Sequence, residues 1–208
     1  MNLMEWVQAT LPELMCDLNQ PATASEIASL ENKLDVELPE RLKAMYLEHD
    51  GQKDEINTGL FYGLNFLPLD RVYEEWCSWA EIIDSQGEEG MKELSMFSTS
   101  HVPGFIKEVY ANKKWVPFAH DWAGNYLGLD FDPAENGTVG QVINFGRDED
   151  EKFVIAKSFS EFMQWYTAEL ESGNYSIVVE DDGGRSFNTK QPQSGHFLDA
   201  VKVLFRAV

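Results

Sequence analysis

Basic residues are scarce in this chain. Sixteen Lys and Arg stand against 36 Asp and Glu in 208 residues, a formal net charge of −20. Proteins hold nucleic acid mainly by neutralising its phosphates with Lys and Arg, so nucleic-acid binding is not expected. Anionic membrane surfaces are disfavoured for the same reason. Cysteine is rarer still. Cys16 and Cys77 each fall in a helix-like segment, and neither has the close Cys pairing that a zinc site needs. The first residues, MNLMEWVQATLPELM, lack a basic region and carry Glu5 and Glu13. A secretory signal is therefore not expected, nor is a structural disulfide, and the expected location is the cytoplasm. No run of about eighteen apolar residues is present, so no membrane span is expected.

The marks of catalysis are also missing. There is no Gly-x-Ser-x-Gly elbow and no Cys/His pair. Gly183-Gly184-Arg185-Ser186 is glycine-rich, but it follows Glu180-Asp181-Asp182, which would repel a phosphate. His49, His101, His120 and His196 show no metal-ligand spacing. The expectation is a protein that is not an enzyme, with no cofactor and no metal.

What is present is enough apolar material for a core, with hydrophobic residues at 43% and aromatics at 12%. Near the N-terminus Pro12 splits one helical pattern into two short helices. Thr23 and Glu26 form a capping box ahead of a helix with Ile27, Leu30 and Leu34 on one face. Leu38-Pro39-Glu40 opens the next helix, which Gly51 stops. Residues 60–67 read as a strand and 69–84 as a helix, with a loop at 87–90. Residues 105–110 form a weaker strand candidate. Short strands at 115–119, 126–131, 139–145 and 153–156, joined by turns, indicate an antiparallel meander. A second capping box at Ser158 and Glu161 opens a helix with Phe159, Phe162, Met163, Tyr166 and Leu170 on one stripe. The tail adds a strand at 175–179 and a helix bearing Phe197, Val201, Leu204 and Phe205. The fold class is therefore α+β, a mostly antiparallel sheet with helices packed against it. Residues 1–170 form the main domain, and 171–208 are a C-terminal extension expected to pack on it.

Six marks fall in order along the chain: Glu31, Leu38-Pro39 and Asp50-Gly51; 115–119 (WVPFA); Asp121 with Gly124-Asn125-Tyr126; Leu129-Asp130 with Asp132-Pro133; 137–143 (GTVGQVI); and Ser158-Phe159. In this order they resemble the SUKH superfamily, in the branch of the fungal cell-wall assembly regulator (the Smi/Knr type), over about residues 20–170. The sequence departs at Trp122-Ala123, where family members often have two small residues. The resemblance implies an α+β fold. It also implies one of two functions: a bacterial-type immunity protein that occludes a cognate toxin, often a nuclease, or a fungal-type regulatory scaffold that recruits endogenous proteins. The immunity reading leads here, because an acidic protein suits the basic surface a nuclease needs.

The expected partner is thus a basic protein, a toxin domain in the leading reading, and oligomeric state is left open. The candidate partner-binding residues are the acidic ones in turns and at strand ends, with one tryptophan. Asp148-Glu149-Asp150-Glu151 occupies a turn between two strands; four carboxylates there would offer a cationic partner charge-assisted hydrogen bonds, or form a solvated hairpin tip. Asp121 and Trp122 share the turn before Gly124. Trp122 is either an exposed interface anchor or a buried plug at the sheet end. Asp130 and Asp132 alternate onto one strand face with Glu135 nearby, as a partner-facing edge in preference to a hard-cation site.

Overall fold

The computed structural model describes residues 2–181 and 183–206. In the N-terminal quarter, helices α1 (Leu3–Thr10) and α2 (Pro12–Asp17) meet at Leu11, and Pro12 sits at the first position of α2, where its missing N–H costs nothing. Helix α3 (Ala24–Leu34) starts from the capping box: Glu26 N donates to Thr23 Oγ1 at 3.2 Å, and Thr23 N donates to Glu26 Oε2 at 2.7 Å. Helix α4 is Glu40–Glu48.

Residues 60–67 do not form one strand. Only β1 (Asn65–Phe66) joins the sheet. Tyr62 and Gly63 take left-handed φ values of 49° and 88°, which folds the segment into turns. Its apolar side chains still fill the core, with Leu60, Phe61, Tyr62 and Leu64 all buried. Helix α5 runs Leu69–Leu94, past the expected loop, and is broken only at Gly87 (φ 64°, ψ −172°). A 3₁₀ turn at Ser95–Phe97 leads into β2 (Thr99–Ser100). No strand forms at 105–110. Ile106 is buried there, but its N–H is taken by Ser100 Oγ at 3.2 Å instead of a ladder partner.

The sheet centre is β3 (Trp115–His120), β4 (Asn125–Asp130) and β5 (Gln141–Gly146). After them come β6 (Glu151–Lys152) and β7 (Val154–Ala156). The five-stranded order is β1-β3-β4-β5-β7, antiparallel throughout, while β2 pairs in parallel with β6 as a separate ribbon. Every residue of β3, β4 and β5 is buried, because both faces are covered. Trp79 of α5 packs on Tyr126 and Phe145 on one face. On the other side α6 (Phe159–Glu171) lays Phe159 and Phe162 against Phe118.

The tail continues the same core. Hairpin β8 (Ser176–Val179) and β9 (Arg185–Asn188) is followed by α7 (Phe197–Leu204). Phe187, Phe197 and Val201 are buried with the sheet residues, and Tyr62 contacts Phe187 and Phe197 at ring separations of 5.2 Å. Of the acidic run at the end of β8, Asp182 lies outside the described residues.

Candidate functional site

The β3–β4 turn is built by Asp121. Its Oδ1 accepts from Ala123 N at 2.8 Å and Asn125 N at 3.0 Å, and its Oδ2 accepts from Asn125 Nδ2 at 2.8 Å. His196 Nε2, from the residue before α7, approaches Oδ2 at 3.4 Å. Burial opposes ionisation of this carboxyl, but the His196, Asn125 and Ala123 donors outweigh it and hold Asp121 well below the usual carboxylate range. Asp121 is therefore inward-facing, a turn former with every oxygen engaged.

Trp122 has the opposite orientation. It takes φ 62°, remains 43% exposed, and its Nε1 donates to Asp54 Oδ1. A left-handed φ is rare for a bulky residue and costs about 1–3 kcal/mol. The ring lies 5.4 Å from that of His120.

The β5–β6 turn stands beside it, since Arg147 N donates to Gly124 O at 2.9 Å. Asn125 joins the two: its Oδ1 accepts from Asp148 N at 2.8 Å, and its Nδ2 reaches Asp148 Oδ2 at 3.3 Å. So the structure brings Asp121, Trp122, Asp148 and Asp150 to one end of the sheet, with Asp148 and Asp150 exposed. Glu149 does not belong to that surface. It is buried, accepts from Asn144 Nδ2, and pairs with Lys202 of α7 at 3.2 Å. Burial raises its carboxyl against the pull of Lys202. Glu151 is half-buried and pairs with His101 at 3.0 Å and Arg206 at 3.2 Å. Of the four carboxylates expected to share this loop, only Asp148 and Asp150 are exposed, and Asp148 is paired with Arg147 at 3.3 Å.

Asp130, Asp132 and Glu135 lie at the other end of β4. Asp130 is fully buried, so it forms no partner-facing edge. Its Oδ1 accepts from Trp115 Nε1 and Asp132 N, both at 3.0 Å, and its Oδ2 accepts from Gln141 Nε2 at 2.9 Å. Asp132 lies past the strand end and is held by Lys107 at 2.5 Å and Asn112 at 2.9 Å. Glu135 is exposed in the loop that follows. The nine expected residues are two separate groups.

Sequence reasoning missed a cleft next to Trp122. It measures about 740 Å³ and is lined by Asp50, Asp54, Asp70, Arg71, Asn65 and His120 among others. Asn65 of β1 and His120 of β3 are cross-strand partners and share a face. The signal was a polar pair in otherwise apolar strands, which acquires meaning only once the strand register is known.

The SMI1 / KNR4 family (SUKH-1) profile matches residues 21–165. The chain belongs to this family. Among curated relatives it is 32% identical over 235 residues to the "Cell wall assembly regulator SMI1" of Saccharomyces cerevisiae, covering 97% of this chain and 46% of that protein. It is 30% identical to the "Cell wall biosynthesis/cell cycle regulator smi1" of Schizosaccharomyces pombe, covering 95% and 40%. It is 28% identical to a "Glucan synthesis regulatory protein" of Neurospora crassa, covering 92% and 42%. The chain spans less than half the length of these relatives. All three are named as regulators, and the similarity lies with the fungal regulators rather than with the bacterial immunity branch expected from the sequence. At 97% coverage it also extends beyond residues 20–170.

Proposed function

We propose that this chain is a non-enzymatic protein-binding module that acts as a regulatory scaffold in cell-wall assembly. It would recruit basic protein partners through the end of the sheet that carries Trp122. The observation that supports this most is Trp122 itself. An indole held half-exposed in a left-handed conformation, between Asp54 and the Asp148 turn, spends stability to keep an apolar, hydrogen-bonding ring at the surface. The net charge of −20 would steer basic partners to it. An immunity role would use the same binding chemistry, but the names of the relatives favour regulation.

The test is segment replacement. This chain would substitute for the matching segment of the budding-yeast regulator, and growth would be scored under digestion of the cell wall. Restored resistance that is lost again with Trp122→Ala, at equal protein level and equal melting temperature, is the expected result. A folded, normally abundant chimaera that restores nothing would overturn the reading.

A further inference from the structure

We infer that the cleft beside Trp122 receives the guanidinium of an arginine side chain presented by a basic segment of a partner protein. The inference rests on the protein-binding reading above and adds the chemical group recognised and the residues that recognise it.

The first ground is a pair of unsatisfied atoms. Asn65 is 1% exposed and His120 5% exposed, and both line the cleft. Asn65 Oδ1 and His120 Nε2 are buried without a hydrogen-bond partner, whereas nearly every other buried side-chain polar atom among the described residues has one. Native proteins rarely leave such atoms unpaired, and two on adjacent strands in one cleft mark a place for an incoming donor. Their polarity is defined. Asn65 Oδ1 can only accept. His120 Nδ1 faces Glu75 Oε1 at 4.0 Å, which favours the proton on Nδ1 and leaves a lone pair on Nε2. Burial keeps that ring neutral against the pull of Glu75.

The second ground is charge. Asp50, Asp54 and Asp70 line the same cleft. The two cations that line it are already engaged: Lys53 Nζ donates to Cys16 O at 2.6 Å, and Arg71 donates to Glu74 at 2.8 Å and Glu75 at 2.7 Å. Two unpaired acceptors in a cleft that three aspartates line suit a flat cation with several donors. Guanidinium has five N–H groups in a fork, where an ammonium is a single point. Trp122 stands beside the cleft without lining it, with its Nε1 on Asp54 and its ring 5.4 Å from that of His120, so its indole reports on an occupant of the site. Free arginine fits worse, because its own carboxylate would meet three aspartates. A side chain supplied by a peptide carries no such penalty.

Chemical-shift titration of the full chain tests this with capped Gly-Ser-Arg-Ser-Gly peptide. The same peptide with citrulline or lysine at the centre, free arginine, and spermidine serve as comparisons. The arginine peptide should shift the His120 ring and Trp122 indole signals and bind about tenfold tighter than the citrulline peptide. The exposed Asp70→Asn should weaken it several-fold, while Glu89→Gln, an equal charge change on a distant part of α5, should not. Equal binding of arginine and citrulline, equal weakening by the two variants, or spermidine binding without peptide binding would each overturn the inference. If the yeast chimaera works while every arginine probe fails, this site falls and the scaffold reading stands. If the arginine peptide binds and the chimaera fails, the reverse holds.

Discussion

Asp130→Asn should alter the pH dependence of stability as much as stability itself. Asp130 is fully buried, and burial pushes its carboxyl up from 3.8 to about 6 against the donation of Gln141, Asp132 and Trp115. A group whose folded pKa is raised contributes stability that is complete below its unfolded value and lost as pH climbs through the folded one. The window therefore runs from about pH 4 to pH 6, and the interval corresponds to about 3 kcal/mol. The variant lacks this titration, so wild-type stability minus variant stability should fall by about that amount across the window. Near neutral pH the substitution has a second effect. The asparagine oxygen can keep Trp115 Nε1 and Asp132 N, but the new amide then faces Gln141 Nε2, a donor against a donor. Gln141 cannot turn to relieve this, because its Oε1 holds Thr138 N at 3.1 Å and its Nε2 also donates to Phe105 O at 3.0 Å. That mismatch should cost about 1–3 kcal/mol. Urea unfolding of both proteins, followed by tryptophan fluorescence at about pH 4, 5, 6 and 7, measures both effects, and the subtraction cancels the other carboxylates. A difference that stays flat or rises with pH would refute the buried-charge argument.

Three further outcomes follow from the same packing. Gly128→Ala would place a Cβ 2.4 Å from the Phe145 ring and 2.7 Å from Val116 O, in the middle of the sheet, so a thermal melt should show a loss of about 1–3 kcal/mol and a wild-type melt would count against it. His196 is raised chiefly by its hydrogen bond to Asp121, so its contribution is complete below the unfolded value and lost as pH rises through the folded one; the stability gap between wild type and His196→Gln should narrow on going from about pH 6 to pH 8. Burial lowers Lys152 from 10.5 to about 8, which penalises the folded state while the amine is charged. Wild-type stability relative to Lys152→Met should therefore rise between about pH 8 and pH 10, and a flat difference in denaturant titrations would show that Ser98 Oγ and the Glu149 and Asp150 carbonyls fully compensate the charge.

Local signals carried most of the fold. Thr23 with Glu26, and Ser158 with Glu161, start helices where short-range chemistry says they should, and the aromatic stripe of α6 lies against the sheet. The errors arose where a local pattern was overridden. The run at 60–67 is apolar enough for a strand, but the left-handed Tyr62-Gly63 pair bends it, and its side chains reach the core from turns. The Gly87–Gly90 sequence reads as a break, yet only Gly87 leaves helical geometry. For the site, charge runs showed which turns are acidic. They could not show which carboxylates turn inward, because that depends on partners far along the chain. Glu149 is drawn in by Lys202, and Asp121 is satisfied by His196. The Asn65–His120 pair is invisible without the register that joins β1 to β3.

The way α7 and its hairpin dock has a practical corollary for anyone who trims the protein to the family-matched stretch, residues 21–165. Such a fragment would strip the counter-ions from two acidic turns at once, since His196, Lys202 and Arg206 all lie in the discarded piece. It would also bare Tyr62, which Phe187 and Phe197 cover, and it would amputate α6 before Tyr166 and Leu170. Swelling and self-association of that fragment would then reflect the scissors rather than the natural chain.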